Sequence, residues 1–346
     1  MALQAREFAF DVLDEVERGG FADDLLHSRA LDPLEAGLAN ELVFGVLRRQ
    51  AQLDYLAGYY AGRDVKLGND VRLALRLGIY QLRYLDRIPP HAAVSTSVEL
   101  VKRSRKRGAV GFVNAILRKV NRDPVEFPSD ALALSIPEWM LARWEARFGR
   151  ADAHAAANFF LSKPVAYFRG ERQMDLGAQQ IVPLLELAPH HRFLDVCAAP
   201  GNKALQAVEY GVEPVACDRT RKRLVAIPLK NKVQLDAAQP LPFGPVFDRI
   251  LVDAPCSGTG TLGRNPEIKW RVSPEEFSRQ AERQLQILRS ALAALAPGGR
   301  LVYSTCSLER EENEEVVDHF RDRVASQGYR LPGREPGDGF FHAVLA

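Results

Sequence analysis

Apolar residues recur at helical spacing through the first third of the chain, then give way to short apolar runs. Phe8-Val12-Leu13-Val16, Leu38-Leu42-Val43-Val46-Leu47, Val71-Leu75-Ile79-Leu82 and Val94-Val98-Val101 each fit one buried helical face. Gly19-Gly20, Asp32-Pro33, Gly68-Asn69, Pro89-Pro90 and Gly108 interrupt the pattern between them. A further helix fits Val110 to Val120. Residues 1–125 are therefore expected to form an all-helical bundle of five or more helices. Pro124, Pro128, Pro137 and Pro164 punctuate the next stretch, in which Trp139 to Phe148 fits one helix. Residues 126–165 read as a helical connector.

From about residue 190 the period changes. Short apolar strands fit Phe193–Cys197, Pro214–Cys217, Val233–Leu235, Arg249–Val252 and Arg300–Tyr303. Helices fit Lys203–Glu209, Arg219–Ala226, Pro274–Leu295 and Glu311–Arg323. Such alternation predicts a mostly parallel sheet with helices on both faces. Two last strands, Tyr329–Leu331 and Phe340–Leu345, predict an antiparallel edge. The fold class is thus an α-helical bundle followed by an α/β domain over 166–346.

Composition narrows the function. The net charge is +2, so binding to a polyanion must rest on local patches. Four cysteines stand at 197, 217, 256 and 306 with no CxxC spacing, which predicts free thiols in a reducing compartment and no zinc site. The N-terminus has no signal-peptide core, and no run approaches the roughly 18 apolar residues of a membrane span. The expected compartment is the cytoplasm.

The candidate chemistry sits at strand ends, where parallel α/β sheets place their sites. Cys256 and Cys306 each close an apolar strand and open into a small-residue turn, and a thiolate there is a strong nucleophile if its pKa is lowered. For either one alone the commoner state is a small buried hydrophobe. The first strand of the α/β half runs into Cys197, Ala198, Ala199, Pro200, Gly201, Asn202 and Lys203, whose small side chains let backbone approach a ligand. The turn is neither a G-x-G-x-x-G fingerprint nor a P-loop, so the ligand need not carry a phosphate. Asp218 ends the second strand, where a carboxylate can accept from both ribose hydroxyls, and Asp236 follows the third, where it can meet an adenine amino group. Taken singly they are equally well turn or N-cap residues. Together with the glycine turn they predict a nucleoside cofactor such as S-adenosylmethionine.

Asp195-Val-Cys-Ala-Ala-Pro-Gly-Asn-Lys203, Asp253-Ala-Pro-Cys-Ser-Gly258, Asn265-Pro-Glu-Ile-Lys-Trp270 and Ser304-Thr-Cys-Ser307 with Glu311-Glu-Asn313 resemble the RNA 5-methylcytosine methyltransferases, in particular the Sun/Fmu branch acting on bacterial small-subunit (16S) rRNA. Phe44-Gly-Val-Leu-Arg48, Arg87-Ile-Pro-Pro-His-Ala-Ala93 and Phe112-Val-Asn-Ala-Ile-Leu-Arg118 resemble the NusB-like domain of that branch. The resemblance implies a NusB-like helical RNA-binding domain and a Rossmann-like S-adenosylmethionine-dependent catalytic domain. It implies Cys306 as nucleophile, Cys256 as the residue assisting release, and Asp253 against the pyrimidine edge and at the cofactor. Lys203 beside the target can stabilise a thiolate; alternatively it is a solvated first-turn lysine. Residue chemistry alone leaves Cys256 open as the nucleophile. The same chemistry on tRNA, or a non-catalytic RNA-binding protein with a degenerate catalytic domain, are the rival expectations.

The chain departs from that family in three places. Asn202 stands where a second glycine is usual, and the stretches between Gly170 and Ala178 and between Ala226 and Asp236 are short. For RNA contact the strongest run is Lys102, Arg103, Arg105, Lys106 and Arg107, either a solvated helix end or a phosphate-binding patch. Arg48, Arg49, Arg118, Lys119 and Arg122 are candidate extensions. Lys269 and Trp270 either border the target base or pack.

Overall fold

The computed structural model describes residues 2–62, 66–104 and 106–346. It divides into two compact units, one of residues 1–163 with 262–270 and one of 164–261 with 271–346.

The first unit is helical. Its elements are α1 (Ala2–Glu17), α2 (Ala22–Leu26), α3 (Pro33–Arg48), α4 (Gln50–Ala61), α5 (Asn69–Tyr84), α6 (Pro90–Arg103), α7 (Val110–Leu117), α8 (Asp130–Ala133), α9 (Glu138–Phe148) and α10 (Arg150–Phe159). Helix starts follow local chemistry. Asp32 caps α3 by accepting from Leu34 N and Glu35 N, with Pro33 at the first helical position. The apolar faces read from the sequence meet in one core, with Leu42, Leu53, Leu56, Leu73 and Leu75 fully buried. Arg76, buried on α5, makes paired 2.7 Å bonds to Asp54 and a third of 2.7 Å to Glu17. That triad, buried at Arg76 and reaching solvent at Asp54 and Glu17, joins α1, α4 and α5.

Residues 262–270, which follow the Cys256 turn in sequence, are part of this unit. Lys269 is 2% exposed and donates to Arg48 O at 2.8 Å, Trp270 Nε1 donates to Leu47 O at 3.4 Å, and Glu267 accepts from Ala22 N at 3.1 Å. Of the two readings of Lys269 and Trp270, packing is the one observed. Burial, then Arg48 and Arg49, pull Lys269 down to about 7. An unfolded lysine keeps its proton to much higher pH, so between about pH 7 and 10 the unfolded chain binds more protons and stability rises with pH. The slope is up to ~1.4 kcal/mol per pH unit. Lys269→Met is expected to flatten that rise in thermal melts between pH 7 and 9. Equal slopes in wild type and variant would refute it.

The second unit is built on a seven-stranded sheet. A two-stranded hairpin, β1 (Phe168–Arg169) and β2 (Arg172–Gln173), precedes it, followed by α11 (Leu176–Gln179). The sheet comprises β3 (Phe193–Asp195), β4 (Val215–Asp218), β5 (Lys232–Gln234), β6 (Phe247–Asp253), β7 (Leu295–Thr305), β8 (Val324–Arg330) and β9 (Phe340–Leu345), in the order β5-β4-β3-β6-β7-β9-β8. The five strands β3 to β7 pair in parallel, and β9 and β8 add the antiparallel edge. The order reverses between β3 and β6, which marks the crevice where ligands bind in such sheets. The central strands are apolar because both faces are covered, with Leu301, Val302 and Tyr303 fully buried, whereas the edge strands β5 and β8 carry polar, exposed residues. Helices α12 (Asn202–Val208), α13 (Arg221–Val225), α14 (Pro274–Ala293) and α15 (Glu314–Val317) connect them.

One helix expected over Glu311–Arg323 is not formed as such. Only α15 is α-helical; a 3₁₀ stretch follows, with Phe320 outside helical angles, and Glu312 and Asn313 precede it fully buried. Their side chains bond to the strand-end loops instead of lying on a helix surface.

Candidate functional site

Five loops at the carboxyl ends of β3 to β7 make the site, all within the second unit. The turn after β3 is pinned by its neighbours: Val196 N donates to Leu251 O at 3.1 Å and Ala198 N to Cys217 O at 2.8 Å. Gly201 has φ +108° and a Cβ there would stand 2.7 Å from Ile227 Cγ2, so glycine is required by conformation and by space. The chain then enters α12 at Asn202. The Asn202 side chain donates to Gln173 O at 3.4 Å. Asn202 is thereby tied to the β1–β2 hairpin.

A cleft of about 280 Å³ opens beside this turn, lined among others by Cys197, Ala199, Asp218, Asp236, Cys256 and Cys306. Ala198, Pro200, Gly201 and Asn202 form the turn without lining the cleft. Asp218 accepts from Ala199 N at 3.3 Å and from Thr220 N at 2.7 Å, and Asp236 accepts from Ala238 N at 3.1 Å. Both aspartates therefore serve their turns and keep lone pairs free on the cleft side of the ledger of acceptors. Asp195 is 1% exposed and its Oδ1 has no hydrogen-bond partner. Burial, then the neighbouring Asp253, push Asp195 up to about 7. Asp195 does not itself line the cleft, but Asp218, Asp236 and Asp253 do; a carboxylate-lined cleft fits a cationic nucleoside, and S-adenosylmethionine carries an ammonium and a sulfonium.

The reactive groups lie at one end of the cleft. Cys256 Sγ and Cys306 Sγ are 3.3 Å apart. Asp253 accepts from Lys203 Nζ at 2.6 Å and from Ser304 Oγ at 2.7 Å. Burial works to lower the Lys203 pKa, but Asp253 and Cys306 outweigh it, so its ammonium is held above its ordinary value. The bond to Cys306 and then burial push the Cys256 thiol well up, so Cys256 keeps its proton. Burial does the same to Cys197, and pushes Cys217 up to about 12; Cys217 is fully buried in the sheet.

Three further side chains complete the site: Glu312, from the Glu311-Glu-Asn313 motif, and Gln284 and Arg283, which sequence reasoning did not single out. Glu312 is fully buried and accepts from Ser257 N at 2.7 Å, Ser257 Oγ, Ser307 Oγ at 2.5 Å and Gln284 Nε2 at 3.1 Å. It thus clasps the residue after each cysteine. Gln284 on α14 also donates to Pro255 O at 2.9 Å. Arg283, on the same helix, lines the cleft. Gly260 N donates to Cys306 O at 2.8 Å, and a Cβ on Gly260 would lie 2.8 Å from that oxygen. Spacing does not reveal the contacts from Ser257, Gln284 and Gly260, because each joins residues far apart in the chain; only the Ser307–Glu312 bond is local.

The basic run is only partly free. Lys102 pairs with Glu99 at 2.6 Å, and Arg103 with Asp11 and, at 3.9 Å, Glu7. Lys106 and Arg107 are exposed, and Arg105 lies outside the described residues. Of the expected extension, Arg48 is 5% exposed and donates to Gly263 O at 2.9 Å, and Arg122 bonds Asp86 and the carbonyls of Leu82 and Leu85. Among the described residues no group of three His, Cys, Asp or Glu side chains is placed to hold a metal ion, and no helix is long and apolar enough to cross a membrane.

Comparison with known proteins agrees with this architecture. The family model described as 16S rRNA methyltransferase RsmB/F matches residues 182–335, and that of the NusB family matches residues 3–122. Ribosomal RNA small subunit methyltransferase B of Thermus thermophilus is 37% identical over 398 aligned positions, covering 98% of this chain and 97% of the relative. The probable ribosomal RNA small subunit methyltransferase B of Bacillus subtilis is 30% identical, covering 91% of this chain and 87% of the relative. The crystal structure of PH0851 superposes over the whole chain with a TM-score of 0.78 at 17% identity, a likeness of fold. An alignment of 398 positions against a chain of 346 residues means that the Thermus relative carries segments this chain lacks. Full-length identity of this level, with both matched models in this order, makes the chain a member of the 16S rRNA methyltransferase RsmB/F family, an S-adenosylmethionine-dependent methyltransferase preceded by a NusB-family helical domain.

Proposed function

We propose that the protein methylates C5 of a cytosine in small-subunit rRNA through a covalent bond between Cys306 and C6 of the base. The observation that carries this reading is the thiol pair, 3.3 Å apart, beside an aspartate held by a buried ammonium. Cytosine C5 is a poor nucleophile, and addition of a thiolate to C6 moves the C5–C6 electron pair onto C5. S-adenosylmethionine, held by the turn 197–203 with Asp218 and Asp236, supplies an electrophilic methyl group when bound. Loss of the C5 proton to a base then lets the Cys306–C6 bond break, which restores the double bond and the thiolate.

The residues divide the work. Lys203 is the cation beside Cys306 and holds Asp253 in place. Asp253, oriented by Lys203 and Ser304, receives the polar edge of the pyrimidine. Cys256 keeps its proton in the resting site and assists release. Lys106 and Arg107 of the basic run contact RNA phosphate. A base in a duplex must leave the stack to reach such a cleft, and an unpaired loop costs less.

The test uses small-subunit rRNA lacking 5-methylcytosine and a methyl-labelled donor, with digestion to nucleosides. Label in 5-methylcytidine is expected. Label in another nucleoside, or in none with any RNA fraction, would overturn the proposal.

A further inference from the structure

We propose that the methyltransferase unit carries its own RNA-backbone docking surface, formed by the segment from Arg219 to Lys232 around α13. The inference rests on the RNA-methylating reading above and adds to it where the substrate strand enters. Between Asp218 and Asp236 the chain has six cations, Arg219, Arg221, Lys222, Arg223, Lys230 and Lys232, and no acidic residue. In a chain whose net charge is only +2 this is a strong local asymmetry. A polyanion binds through such clusters, by releasing counterions from its phosphates.

Placement gives the patch its direction. The segment leaves the carboxyl end of β4 directly after Asp218, and Arg219 and Arg223 line the same cleft as Asp253, Cys256 and Cys306. Arg221, Lys222 and Arg223 stand on α13, with Arg219 at the cleft before it and Lys230 in the loop after it. Arg219, Arg221, Lys222, Arg223 and Lys230 are all exposed. Arg223 is fixed at the rim by donating to Ala199 O at 3.0 Å, and Lys232 is turned inward to the carbonyls of Val225 and Ile227. Val225 is 63% exposed among them, an apolar spot suited to a sugar or base face. Arg221, Lys222 and Lys230 make no ion pair among the described residues. Lys102 and Arg103, in the basic run of the helical unit, are instead engaged by Glu99, Asp11 and Glu7. A phosphate meeting α13 displaces only counterions and water.

The experiment compares full-length wild type with Arg221→Ala/Lys222→Ala/Lys230→Ala, three exposed positions outside the cleft lining. Binding of an unmodified small-subunit rRNA fragment is followed by fluorescence anisotropy over a salt series, with S-adenosylmethionine affinity by calorimetry and methyl transfer in parallel. The triple variant is expected to bind RNA at least about tenfold more weakly near 0.1 M salt. Its log–log salt slope should be shallower by about two, from ~0.7 for each cation lost against single-stranded RNA. Cofactor affinity should stay within twofold, which separates a docking surface from a cofactor-site defect. An unchanged RNA affinity and slope would overturn the docking surface while leaving the catalytic reading intact. Loss of RNA affinity in the variant of a protein whose wild type binds but never methylates RNA would support the surface and sink the catalytic reading.

Discussion

Cys306→Ala is expected to remove methyl transfer completely and to leave no covalent protein–RNA band, whereas Cys256→Ala is expected to trap one. The asymmetry comes from the thiol pair. The two sulfurs share one contact of 3.3 Å, and the bond to Cys306 pushes the Cys256 thiol well above its ordinary pKa. Cys256 is therefore the proton holder of the pair, and Cys306 is the sulfur beside the Lys203 ammonium. Without Cys306 no bond to C6 forms, and activity should fall by at least ~10⁴-fold, equivalent to more than ~5 kcal/mol of barrier. Without Cys256 the C6 bond can form, but its release is impaired, so adduct accumulates while turnover falls. Denaturing gels of each variant with labelled RNA and donor read both quantities. A trapped band in Cys306→Ala and none in Cys256→Ala would transfer the nucleophile to Cys256, the alternative that residue chemistry alone leaves open.

The framework of the site is written locally in the chain, and its support is not. Strand positions, the turn 197–203, Asp218, Asp236 and both cysteines follow from short-range patterns, because a parallel strand and its following turn are contiguous residues. The cleft gathers Cys197, Asp218, Asp236, Asp253, Cys256 and Cys306. The expected helix over Glu311–Arg323 misreads its first residues for an instructive reason. A Glu-rich run has helical propensity, but Glu312 is drawn inward by four donors from Ser257, Ser307 and Gln284. Asn313 is held likewise by Thr305 and by donating to Ser307 O at 2.9 Å. Thr305 and Ser307 are close in sequence, but Ser257 and Gln284 lie 55 and 28 residues from Glu312, beyond any window of periodicity. The same holds for Lys269. A Lys-Trp pair in a polar loop leaves a ligand-facing and a packing reading open, and tertiary contact with Leu47 and Arg48 decides for packing. Charge runs mislead in the other direction: Lys102 and Arg103 stand out in sequence, but Lys102 pairs with Glu99 on its own helix and the acidic partners of Arg103, Asp11 and Glu7, lie on a helix far upstream.

Glu312→Gln is the second large effect expected, and it acts with no contact to the thiols themselves. In the native site one carboxylate accepts from the residue following Cys256 and from the residue following Cys306, and so sets the spacing of the two sulfur-bearing loops. Burial pushes the Glu312 pKa up, while the bonds from Ser257, Ser307 and Gln284 act to lower it. Glutamine keeps the size but offers one oxygen, so that its NH₂ group must face either Ser257 N and Gln284 Nε2 or the hydroxyl protons of Ser257 and Ser307. At least one buried donor then loses its acceptor, at a cost of about 1–3 kcal/mol, and the loops relax apart to relieve it. Because reactive geometry tolerates little displacement, kcat is expected to fall by about 10²-fold or more. The change in S-adenosylmethionine affinity should be within about twofold, since the turn 197–203, Asp218 and Asp236 make none of these bonds. Glu312→Asp keeps the charge and should restore part of kcat if its shorter side chain still spans both loops. A kcat drop in Glu312→Gln matched by an equal loss of cofactor affinity would mean general unfolding of the site, and unchanged kcat would show that the clasp does not set the thiol geometry.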